Sequence, residues 1–223
     1  MQARTLALLI TLLPLVSANI AYLISASAGY VPWCIPYTEG CTTISRAARH
    51  GYALFLFRAL MMLYAVLLIY YWWIVKHWLD ILDNRSTVIS RVIYWLGIIG
   101  ALFLILYIDF LGSSGPVYQF MRRYGVIFYF SFTPLAHMLM INHLTKLKIK
   151  NTDVPVTTRI IHYQTAIVSL ILILGISSVV MSYAGIKTYE SENIIEWNYS
   201  LLLTLFFASS FFMWKDLRLK LDF

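Results

Sequence analysis

The feature that most constrains this chain is a recurrence: runs of about eighteen or more apolar residues return down its whole length. A soluble globule needs polar surface to cover its core, and 61% hydrophobic against 12% charged residues supplies too little. Predicted spans lie near 5–28, 51–75, 89–111, 121–142, 160–183 and 197–214. The fold class that follows is all-α: a polytopic membrane protein of six transmembrane helices. No segment between the spans is long enough to fold alone, so residues 1–223 form a single domain. Around the first run, Met1-Gln2-Ala3-Arg4 and Ser25-Ala26-Ser27-Ala28 imitate a secretory leader and its cleavage site. The run is about 24 residues, long for a leader and sufficient to span, and is expected to stay as the first helix.

Orientation follows from where Lys and Arg fall. One side carries Arg4; Lys76, Arg85, Arg91; Lys146, Lys148, Lys150, Arg159; and Lys215, Arg218, Lys220, eleven in all. The other carries Arg46, Arg49, Arg122, Arg123 and Lys187, five in all. Both termini are therefore expected in the cytoplasm, with the first loop extracytoplasmic (periplasmic, extracellular or lumenal). Tyr70-Tyr71-Trp72-Trp73 and Trp214 are expected at the inner interface, and Trp33 and Trp197 at the outer one. The net charge of +7 reads as loop charge meeting anionic lipid, and no nucleic-acid partner is expected.

The first loop, Gly29 to Tyr52, is the one long polar-aromatic interval. It holds Cys34 and Cys41, the only two cysteines, on the side already assigned as oxidising. A turn at Pro36 and Gly40 lets them close a disulfide. Asn84-Arg85-Ser86 and Asn198-Tyr199-Ser200 match the glycosylation pattern by chance, one being cytoplasmic and the other opening a span.

Charges inside a membrane are expensive and ask for a reason. Arg58 falls about 10 Å below the outer surface on the second span, Asp109 near the outer end of the third, and Glu196 where the sixth enters. With Glu39, Arg46, Arg49, His50, Arg122 and Arg123 they gather in the outer half. Arg58 is expected to pair with Asp109 or Glu196. The set Glu39, Arg46, Arg49, Arg58, Asp109, Arg122 and Glu196 outlines a pocket with cationic walls, suited to a phosphate or other lipid head group. His77, His143 and His162 read as interfacial residues holding no ligand, and His137 points to another face than His143. No metal or other cofactor is expected. No span contains a lysine for a retinal Schiff base, and no Walker, Rossmann, zincin or nucleophile-elbow motif occurs. No helix carries a regular polar stripe along its full length, which argues against an ion pore.

Three stretches then resemble the DRAM/FRAG/SFK group of six-span proteins, which includes autophagy modulators and proteins that remodel GPI-anchor lipids. They are Ser17-Ala18 through Tyr30 with Ile35-Pro36-Tyr37-Thr38-Glu39-Gly40; the third span and its loop to Gly125; and Ile195-Glu196-Trp197 with Phe211-Phe212 and Trp214-Lys215-Asp216. Departures accompany them. Ile44-Ser45-Arg46 stands where the group has Pro-Pro-Glu, and Arg122 stands where it has a histidine, both changes favouring anion binding over proton chemistry. The resemblance implies a lipid-handling protein that binds or reorganises outer-leaflet phospholipid or glycolipid head groups, with anionic membrane lipids as partners. Two other readings stay open. One is an enzyme that remodels acyl chains, with Glu39, Glu196 or His50 as base. The other is a structural or channel-like subunit in a homo-oligomer or beside another membrane protein.

Overall fold

The computed structural model describes residues 2–150 and 154–214, which form eight helices and no strand. Six are long and apolar enough to cross a membrane: α1 (Ala3–Ser27), α4 (Gly51–Leu82), α5 (Val88–Phe110), α6 (Pro116–Lys150), α7 (Thr158–Tyr183) and α8 (Tyr189–Met213). Two short helices, α2 (Pro36–Glu39) and α3 (Ile44–Ala47), shape the first loop. Each long helix packs on its neighbour in sequence, except that α1 meets α4 across the loop and α8 closes back on α1. The six therefore make a ring, and the α6–α7 contact is its loosest link. Alternating directions place the segments 28–50, 111–115 and 184–188 at one end, called the loop end below. Gln2, 83–87, 154–157 and Trp214 lie at the far end.

Three helices overrun the predicted spans because hydropathy stops at polar residues and helices do not. The second span, expected to end at 75, continues to Leu82, with the Lys76–Asp80 pair at 2.7 Å bridging one turn of it. The fourth, expected over 121–142, starts at Pro116, a residue whose fixed φ suits a first turn, and runs out through a lysine-rich end. The sixth, expected from 197, starts at Tyr189, where Thr188 and Ser191 form a reciprocal capping box. Glu196 consequently sits two turns inside α8 instead of at its entry. Tyr71 and Trp72 also depart from expectation. They are wholly buried and pack inside the bundle, Tyr71 against Trp214, instead of facing outward at an interface. Lys215, Asp216, Arg218 and Lys220 lie outside the described residues.

The core is aromatic, and its polar tips find one another. The Tyr64 and Tyr129 hydroxyls meet at 2.9 Å, as do those of Tyr71 and Ser210. His137 is fully buried and stacks on Phe206 with centroids 3.7 Å apart. Pro134 cannot donate to the Phe130 carbonyl one turn earlier, and the Tyr199 hydroxyl donates to it instead at 2.7 Å.

Candidate functional site

The loop end is built from the first loop. Pro36 opens α2 and Gly40 ends it in the left-handed region at φ 64°. A Cβ at Gly40 would fall 2.2 Å from the Glu190 carbonyl oxygen, so glycine is required by conformation and by space. Cys34 and Cys41 form the disulfide expected of them. The Tyr22 hydroxyl accepts from the Cys34 amide and donates to its carbonyl, each at 2.7 Å.

From α8, Asn193 donates to the Gly40 carbonyl at 2.6 Å, Trp197 Nε1 to Thr42 at 2.8 Å and Asn198 to Tyr37 at 2.8 Å. Glu196 Oε1 accepts from the Ile44 amide at 3.1 Å, in the first turn of α3. On α1, Ser25 donates to the Ala47 carbonyl. The loop is thus fixed on both sides, and α3 with the turn after it delivers Arg46 and Arg49 over the bundle.

Arg49 is partly buried, and its Nε has no hydrogen-bond partner. Burial, and next the charge of Arg122, push its pKa below the ordinary arginine value, with Arg46 adding to the shift and Glu196 opposing it. Arg122 donates to the carbonyls of Phe110 at 3.4 Å and Ser113 at 3.3 Å, which close the α5–α6 turn. Arg46 is exposed and lies over the Tyr189 ring, 5.1 Å from its centroid. The ion pairs among the described residues are Lys76–Asp80, His143–Asp83 and Lys187–Glu192, so no described carboxylate stands within ion-pair distance of Arg46, Arg49 or Arg122, and Glu196 acts on Arg49 only from farther off.

Other expected members stand differently. Arg58 does not pair with a carboxylate. Its Nε donates to the Ile108 carbonyl at 3.1 Å, which also accepts from the Leu111 amide at 3.3 Å, and its Nη2 donates to the Asp109 carbonyl in the last turn of α5, where helical donors run out. The Asp109 residue is exposed. Glu39 is exposed too, and accepts from the Ile35 amide at 3.0 Å, closing its own loop. His50 stacks on Tyr30 at 5.1 Å. His143, expected as an interfacial histidine with no bound ligand, bonds Asp83 at 2.7 Å, because the long α4 and α6 carry both residues to the same level at the far end. Among the described residues, no group of three or more His, Cys, Asp or Glu side chains comes together as a metal site would need.

Two spaces are lined by Tyr107 and Glu196, whose charges act on Arg49. A chamber of about 40 Å³ lies inside the bundle among Phe57, Tyr64, Tyr107, Tyr129 and Glu196. A cleft of about 390 Å³ opens where α6, α7 and α8 meet α3 and α5, walled by Ser45, Tyr107, Ser131, Ser178, Glu192 and Glu196. Tyr107, Val126, Phe130 and Glu196 line both, so the acid stands where cleft meets chamber. Tyr107, Ser131 and Ser178 carry no sequence signal of such a role, since hydroxyls and aromatics are common in any membrane helix. The arrangement offers a cationic mouth for an anion and, beside it, a mainly apolar slot. Compared with known proteins, the chain matches no family model, no curated sequence and no solved structure, so its own side chains carry the functional argument.

Proposed function

We propose that the protein is a lipid-handling membrane protein whose loop end binds the phosphate of an anionic lipid head group. The observation that carries this reading is the group Arg46, Arg49 and Arg122, left without carboxylate partners beside a cleft between membrane helices. A buried guanidinium nitrogen with no partner is costly, and a phosphate oxygen is the acceptor it suits best. The cleft accommodates the chain side of the same molecule, with apolar Val126, Ile127 and Phe130 in its wall. Arg58, already committed to backbone carbonyls, braces α4 against α5 and is not part of the binding group. An acyl-remodelling enzyme is the second reading, and of its three candidate bases Glu196 alone lines the cleft.

The test is native mass spectrometry and vesicle binding with anionic against zwitterionic phospholipids. Charge-assisted hydrogen bonds contribute about 1.5–3 kcal/mol, so Arg49→Gln/Arg122→Gln should weaken anionic lipid binding by tenfold or more, about the ratio such energies imply. Arg58→Gln should leave lipid preference unchanged. Equal preference in the double variant and the wild type removes the head-group site. Fatty acid released by the intact protein, and lost in Glu196→Gln, establishes the enzyme reading instead.

A further inference from the structure

We propose that the lipid head group held at the loop end carries a primary ammonium beside its phosphate, as serine and ethanolamine head groups do, and that the cleft wall takes the ammonium. This rests on the head-group reading of the loop-end site and names the class of head group. The arginines supply donors, which suit the acceptor oxygens of a phosphate. The cleft is made the other way round. Among the described residues that line it are two carboxylates, Glu192 and Glu196, and no lysine, arginine or histidine.

The hydroxyls of the wall ask for the same partner. Ser131 Oγ donates to the Ile127 carbonyl at 2.8 Å, and the Tyr199 hydroxyl to the Phe130 carbonyl at 2.7 Å. Each has thereby spent its hydrogen, and what it offers the cleft is lone pairs. A carboxylate only accepts, and the Ile44 amide takes up only part of the capacity of Glu196. Ser131 of α6 and Ser178 of α7 flank the α6–α7 seam here. The other cleft on that seam, about 620 Å³ and toward the far end, has no carboxylate among its described lining residues and offers an ammonium no such partner.

Glu192 and Glu196 stand four residues apart on α8, so their like charges repel across one helical turn. A cation between them relieves that repulsion. One primary ammonium already bonds the acid nearer the helix start, where Lys187 Nζ donates to Glu192 Oε1 at 3.1 Å. Tyr107, Phe130 and Tyr199 add aromatic rings to the wall, and such rings attract cations. The donor and acceptor halves are neighbours: Ser45 in the wall precedes Arg46 in α3, and the charge of Glu196 acts on Arg49. A phosphate and an ammonium joined by a short carbon link bridge such a junction. A glycerol head group leaves the two acids uncompensated, and a quaternary ammonium has no N–H to give the acceptors.

The test is binding of the full chain, by native mass spectrometry and vesicle flotation, to four phospholipids with the same acyl chains. They form two pairs matched in net charge: phosphatidylserine with phosphatidylglycerol, and phosphatidylethanolamine with phosphatidylcholine. In each pair the member with the primary ammonium should bind about tenfold tighter, as a charge-assisted hydrogen bond implies. Glu192→Gln/Glu196→Gln should bring phosphatidylserine down to the level of phosphatidylglycerol. Glutamine keeps an oxygen for the Ile44 amide, so the first loop stays bonded, and phosphatidylglycerol binding by the same variant reports that the fold survives. Equal binding within either pair overturns the ammonium site, and the head-group reading stands if phosphatidylserine and phosphatidylglycerol still exceed phosphatidylcholine. If all four lipids bind alike, both fall. A double variant that still prefers phosphatidylserine to phosphatidylglycerol places the ammonium elsewhere and overturns this site.

Discussion

Two sides of the ring differ in how they are held. Where α1 and α8 meet, the first loop lies across both and is fixed by a disulfide and by side-chain bonds from Tyr22, Ser25, Asn193, Glu196, Trp197 and Asn198. Where α6 and α7 meet, contact is loose and two clefts part them. In a bilayer, helices gain little from hydrophobicity on touching, and association depends on close packing and hydrogen bonds. The first side uses both. The second uses little of either. Fixed positioning of the first loop and a loosely packed slot are thus supplied by different parts of one bundle.

The widest gap between the two sides is expected from truncating their side chains. Trp197 is 1% exposed and packs edge-on against Tyr22 and Tyr37, with centroids 6.1 and 5.0 Å away. Trp197→Ala should lower stability by about 3–5 kcal/mol, the usual loss for a buried large aromatic. Val179 on α7 is 69% exposed, and Val179→Ala should move stability by no more than about 0.5 kcal/mol. Denaturant titration in detergent measures both, and a comparable loss for Val179→Ala would mean that α7 is as firmly held as α8.

A matched pair of glycines sharpens the same contrast. A Cβ at Gly125 would come within 2.8 Å of the Tyr107 amide nitrogen and 2.9 Å of the Phe103 carbonyl, both backbone atoms of α5. A Cβ at Gly175 on the seam would meet nothing nearer than the Tyr199 ring at 4.0 Å. Gly125→Ala should therefore cost about 1–3 kcal/mol by overpacking. Gly175→Ala should gain about 0.5–1 kcal/mol, because alanine is the better helix former and has room. Opposite signs in thermal melts support the contrast, and a loss at both positions would show that the seam closes tightly on Gly175.

Much of this was legible in the sequence, and what was not has a common cause. Six long apolar runs and two cysteines in one loop were enough for the helix count and the disulfide, because both are local properties. Helix ends were misread at residues 82, 116, 150 and 189, where capping and Lys–Asp pairing extend a helix past its apolar part. Glu196 was recognised as significant, but its bond to Ile44 joins residues far apart in the chain and has no local signature. Which residues of α6, α7 and α8 line the clefts has no local signature either, because it depends on how the helices pack.

The smallest effect concerns Arg58 and Asp109, which opposite charge and proximity suggest as an ion pair. Arg58 instead donates to the carbonyls of Ile108 and Asp109 in the last turn of α5. Its contribution is then that of hydrogen bonds from a charged donor, so Arg58→Leu should cost about 1.5–3 kcal/mol. The Asp109 carboxylate is exposed and takes no part, and Asp109→Asn keeps the backbone carbonyl, so stability should stay within about 0.5 kcal/mol. A buried ion pair behaves otherwise, since removing either charge strands the other at a cost of about 3–5 kcal/mol. The double variant decides between them. With backbone acceptors, Arg58→Leu/Asp109→Asn should lose only what Arg58→Leu loses. With a carboxylate partner, the two single losses are large and the double variant falls well short of their sum. The first outcome also suits the proposed loop-end site: an arginine held by carbonyls keeps its positive charge uncancelled, which would add to the positive field around Arg49 and Arg122.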